Sequence, residues 1–69
     1  MRRSELLRQL STLAREEGLT LDFIRDGSRH TLFSIGTTRV VVPRHRDVNE
    51  RTARAILRKA RRELRDDDL

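Results

Sequence analysis

The sequence predicts an α+β domain in which one helix, a three-stranded antiparallel sheet and a second helix follow one another (αβββα). Three observations carry that prediction. Leu6, Leu7, Leu10, Leu13 and Ala14 recur at the spacing of one helical face. Short strand-like runs then follow, separated by Asp26-Gly27 and Gly36-Thr37, both turn-forming pairs. After Pro43 the helical period returns in Ala53, Ile56, Leu57, Ala60 and Leu64.

Ser4 is expected to cap the first helix, with Glu5 in the first turn where the helix dipole favours a carboxylate. Gly18 suits the left-handed position that ends a helix, so the helix should run from about Ser4 to Glu17. Leu19, Leu21 and Phe23 alternate with Thr20, Asp22 and Ile24, the pattern of a half-buried strand. Asp26-Gly27 is a two-residue hairpin signal. The return strand, from about Ser28 to Ile35, sets Thr31, Phe33 and Ile35 on one face and His30, Leu32 and Ser34 on the other. With the phenylalanine face inward, His30 points outward, and Phe23 and Phe33 are both expected in the core.

Arg39 to Val42 makes a third strand, ended by Pro43, which has no N–H to give to a ladder. Asp47 or Asn49 is the expected cap of the second helix, Glu50 standing three residues beyond Asp47 as in a capping box. On that helix Arg51, Arg54, Arg58, Arg61 and Arg65 form a basic stripe, roughly 120° around from the apolar one. The tail from Asp66 to Leu69 is expected to fray. Both helices should pack on one sheet face, an element order that also occurs in double-stranded-RNA-binding domains.

Sixty-nine residues make a single domain, 1–69, close to the lower size limit for folding without staples. Charged residues (39%) outnumber hydrophobic ones (35%), so the core must be thin. The absence of Cys excludes disulfides, thiolate nucleophiles and cysteine zinc sites, and two His are too few for a histidine-built structural metal site. Neither a metal nor another cofactor is called for. Apolar runs such as Val40 to Val42 are far too short to cross a membrane, and no signal-peptide core follows the basic N-terminus. A cytoplasmic, reducing location is the default.

Charge narrows the function further. Sixteen Lys and Arg oppose eleven Asp and Glu, a net +5. From Pro43 to Arg65, nine basic residues face only Asp47, Glu50 and Glu63, so the local balance is 9 − 3 = +6. Arginine clustered on one element is the footprint of a polyanion binder. The bland alternative is a solvated face.

Cutting RNA without a metal needs a base for the 2′-hydroxyl proton, an acid for the leaving oxygen and cations for the charge that builds on phosphorus. Imidazole suits both proton transfers, since its ordinary pKa of about 6.5 lies near working pH. Arginine offers a two-pronged fork to phosphate. His30, at the edge of the second strand beside the Gly27-Ser28-Arg29 turn, is the candidate catalyst, with Arg29, Arg44 and Arg46 as candidate phosphate contacts. His45 is either a second acid or base, or a loop residue that helps to place the second helix. Ser28 is expected to hydrogen-bond the turn rather than act as a nucleophile. Base stacking is nearly excluded, because the chain has no Trp or Tyr and its two Phe are needed inside.

Four stretches carry a resemblance: Ser4-Glu5-Leu6, Gly27-Ser28-Arg29-His30, Val40-Val41-Val42-Pro43-Arg44-His45 and Arg54-Ala55-Ile56-Leu57-Arg58-Lys59. In this order and spacing, from Ser4 to Ala60, they resemble the HicA toxins of HicA–HicB toxin–antitoxin systems. The resemblance implies a double-stranded-RNA-binding-like fold, a metal-independent endoribonuclease that cuts mRNA, and a HicB antitoxin that covers the active site and represses the operon. It places the catalytic histidine on His30, with Gly27 and Ser28 as its turn. Many members have histidine at the third position of that turn, where this chain has Arg29, and the Gln-Ala-Gly-Leu end of their second helix is missing here.

Two further functions compete with catalysis. A non-catalytic RNA-binding module of the same fold would use the basic stripe, Arg54 and Arg58 included. A small interaction protein would dock the same arginines on an acidic partner.

Overall fold

The computed structural model describes residues 1–66. It has the expected order: α1 (Arg3–Glu16), β1 (Leu21–Asp26), β2 (His30–Ile35), β3 (Thr38–Pro43) and α2 (Glu50–Asp66). The strands form one antiparallel sheet in the order β1-β2-β3. Leu6, Leu10 and Ala14 of α1 and Ala53, Leu57, Ala60 and Leu64 of α2 close over Phe33, Ile35, Val40 and Val42. Both helices thus cover one sheet face, as two apolar stripes must when only one thin core is on offer. Among the described residues no helix is long and apolar enough to cross a membrane.

α1 ends as its sequence requires. Gly18 takes φ 71°, Leu19 N–H donates to the Ala14 carbonyl (2.8 Å) and Gly18 N–H to that of Arg15 (3.0 Å). This pair of bonds is the Schellman closure, which only a residue free to be left-handed completes without strain. The start differs from expectation. Arg2, not Ser4, holds the cap position and offers no side-chain bond. The main chain does that work instead: Arg3 N–H donates to the Arg46 carbonyl (2.8 Å), and Val48 N–H to that of Met1 (2.7 Å). These bonds tie the N-terminal residues to the segment between β3 and α2. For α2, Asn49 is the cap rather than Asp47, its Oδ1 accepting from the N–H of Arg51 at 2.9 Å. Asp66, expected in a frayed tail, is helical, and the rest of that tail lies outside the described residues.

β1 departs most from expectation. It starts at Leu21 rather than Leu19, whose N–H is consumed in closing α1. Instead of being half-buried it is exposed from Asp22 onward, with Phe23 60% accessible, so Phe23 is not a core residue. Its ring meets Phe33 edge-on, 6.2 Å between centroids, at the rim of the core. α2 packs on β3, and α1 reaches only the start of β1, where Leu21 lies against the core, so the rest of that strand projects past it. A bulge compounds this: Phe23 pairs with Phe33 but Arg25 with Leu32, leaving Ile24 as the extra residue.

Candidate functional site

The alternation of β2 is as predicted. Thr31, Phe33 and Ile35 are buried and His30 is exposed. Since cross-strand partners share a face, His30 stands with Pro43, and Leu32 with Val41, on the sheet face that no helix covers. A concavity of about 270 Å³ opens there, lined by Arg25, Asp26, Gly27, His30, Leu32 and Val41.

Arg25 belongs to this site, and residue alternation alone hides it. Counting from Leu21 and Phe23 would send Arg25 to the helix side. The bulge at Ile24 adds one residue and brings its guanidinium to the imidazole's side. The adjacent apolar pair Phe23-Ile24, which breaks the alternation, was the one available signal.

The turn before His30 is longer than the two-residue hairpin expected from Asp26-Gly27. The strands part at the Asp26–Thr31 pair, and Gly27 N–H donates to the His30 carbonyl at 2.7 Å. Gly27 permits a close approach here, since a Cβ at this position would lie 3.2 Å from that carbonyl oxygen, a tight contact. The Ser28 hydroxyl takes no part in the described bonds. Arg44 does the bracing instead: its Nη1 donates to the Gly27 carbonyl (2.6 Å) and its N–H to that of Arg29 (2.9 Å). Its Nε lies 3.9 Å from Asp26 Oδ1.

A partly buried relay supports the same corner. Arg3 Nη2 donates to Thr31 Oγ1 (2.8 Å), and that hydroxyl donates to Asp26 Oδ1 (2.6 Å). Arg3 Nε also donates to the Pro43 carbonyl at 3.0 Å. Thr31 is 1% accessible, so its hydroxyl has little access to water and depends on these partners. Four elements, the start of α1, the end of β1, the start of β2 and the end of β3, thereby converge beside His30.

Of the residues singled out in the sequence, His30 and Gly27 line the concavity. Ser28, Arg29, Arg44, His45 and Arg46 are all exposed and do not line it, and nothing in the described contacts brings His45 to His30. Arg54 and Arg58 are also exposed, but α2 lies on the opposite sheet face, so they do not converge on the imidazole. Chemically, the open face presents a solvent-accessible proton carrier beside one guanidinium, while α2 presents cations without a proton carrier. No protein-family model matches the chain, and comparison with curated proteins and with solved structures returns no match.

Proposed function

We propose that this protein is the toxin of a HicA–HicB-type toxin–antitoxin system, a cytoplasmic endoribonuclease that cuts mRNA without a metal and uses His30 to move the proton. The observation that carries this reading is the exposed His30 imidazole on the uncovered sheet face, beside Arg25 and on a turn braced by Arg44. The 2′-hydroxyl attacks the adjacent phosphorus while the bond to the 5′-oxygen breaks, leaving a 2′,3′-cyclic phosphate and a 5′-hydroxyl end. His30 either accepts the 2′-hydroxyl proton or donates one to the leaving 5′-oxygen. Arg25 offsets charge building on the phosphate oxygens, and Arg29 and Arg46 hold flanking phosphates. A HicB-like antitoxin with an acidic surface would cap this face and meet Arg29, Arg44 and Arg46.

A second reading follows from the separation of the two basic regions. Because Arg51, Arg54, Arg58, Arg61 and Arg65 are exposed on the far side of the sheet, they suit an RNA-binding module that does no chemistry, or an interaction protein seated on an acidic partner. Expression in cells separates these. Wild type should arrest growth with mRNA decay, and His30→Ala should do neither. Arrest and decay that persist in His30→Ala would remove His30 from the mechanism.

A further inference from the structure

A second groove, of about 360 Å³, runs along the free edge of β3 with α2 as its other wall, and nothing above uses it. Its surface is apolar in Val41, Ala55 and Ile56 and basic in Arg39, Arg51 and Lys59. Val41 is 51% accessible, a large apolar exposure for a strand residue in a chain this charged. We infer that this groove binds an extended acidic segment of a partner protein, which adds to the sheet as a fourth strand along β3.

The backbone supports strand addition. β3 is an edge strand, and Arg44 N–H points to β2, where it bonds the Arg29 carbonyl. Backbone direction alternates along a strand, so Thr38, Val40 and Val42 also face β2. Arg39 and Val41 then direct their N–H and C=O groups to the open edge. Pro43, next on that edge, has no N–H to offer, and its carbonyl is taken by Arg3 Nε. The available stretch is therefore short and defined, suited to recognition of a single segment rather than to open-ended aggregation.

Side chains select the occupant. Arg39, Arg51 and Lys59 complement acidic residues, and the apolar wall accepts alternate aliphatic side chains. Glu63 is the single carboxylate in the lining, and its Oε2 is buried without a hydrogen-bond partner. RNA fits less well, because this wall is aliphatic and lacks a stacking platform.

NMR titration of the isotope-labelled full chain tests this. The probes are an acetylated alternating glutamate–valine hexapeptide, matching the six residues of β3, a copy N-methylated along the pairing edge, a lysine–valine counterpart and a short oligouridylate. The acidic peptide should shift the amides of Arg39, Val41 and Ala55. N-methylation should weaken it about tenfold through lost main-chain bonds. Ala55→Glu, an exposed helix position that tolerates glutamate, should weaken it about tenfold by like-charge contact while leaving the cleavage rate at saturating RNA unchanged. No shift at these amides, equal binding of the lysine–valine peptide or the oligouridylate there, or indifference to N-methylation would overturn the inference.

Discussion

The turn that carries His30 and the outer surface of α2 are both rich in arginine, yet the arginines do different work. At the turn, Arg44 and Arg3 spend their donors on carbonyl oxygens and on Thr31, holding backbone in place. On α2, Arg54 and Arg58 stand in solvent and leave their forks free. A planar guanidinium can be a strut or an open phosphate contact, but one fork does not serve both roles fully at once. The chain thus builds a held site on one sheet face and a diffuse electrostatic surface on the other.

Breaking the relay under the turn should have the largest effect on stability. Thr31→Val keeps the shape but removes the hydroxyl that joins Arg3 to Asp26, at a cost of about 1–3 kcal/mol in denaturant unfolding. A variant as stable as wild type would show that the corner is held by packing alone. Arg44→Ala should come next, at roughly 1 kcal/mol or less, since its ion pair and bonds are solvent-exposed. Cleavage should fall further than that stability loss explains, because the turn loosens. Arg44→Lys, which keeps the charge but not the fork, should fail to restore cleavage.

Arg54→Ala and Arg58→Ala should be nearly silent in unfolding, within about 0.5 kcal/mol. Each should lower RNA affinity alike for all sequences and flatten the salt slope by about one unit. If neither changes, RNA does not use α2, and the loop cations remain. The smallest effect concerns Glu5, whose carboxyl is held below its usual range by hydrogen bonds from Arg8 and then Gln9. With the folded-state pKa lowered, the pair's stabilisation is present above the usual carboxylate range and is lost as pH falls through the folded value. Glu5→Gln should remove that slight acid sensitivity, as read from unfolding midpoints on descending pH.

What was legible in the sequence was local and periodic. Leu6, Leu10 and Ala14 and the α2 stripe announce their buried faces, and the alternation of Thr31, Phe33 and Ile35 turns His30 outward. Other features depend on contacts distant in the chain. Arg3 and Thr31 are 28 residues apart, so no window contains their bond. Phe23 reads as core because its neighbours alternate, yet its ring only meets the edge of Phe33 and stays largely in solvent. Arg25 stayed hidden because one bulged residue reverses the face of all that follow. Ser4 has the right chemistry for a cap, but backbone from the β3–α2 segment already satisfies the helix start.

In the proposed mechanism, proton transfer belongs to the held site and not to the diffuse one. Cleavage of saturating RNA by the purified full chain, with chelator present, tests it most directly in wild type, His30→Ala and the Arg54→Ala/Arg58→Ala double variant. His30→Ala should lose about 10²- to 10⁴-fold in rate while keeping RNA affinity and its salt slope. The double variant should bind more weakly yet cut at the wild-type rate once saturated. Wild type that does not cut, or His30→Ala that cuts as wild type does, would contradict the account.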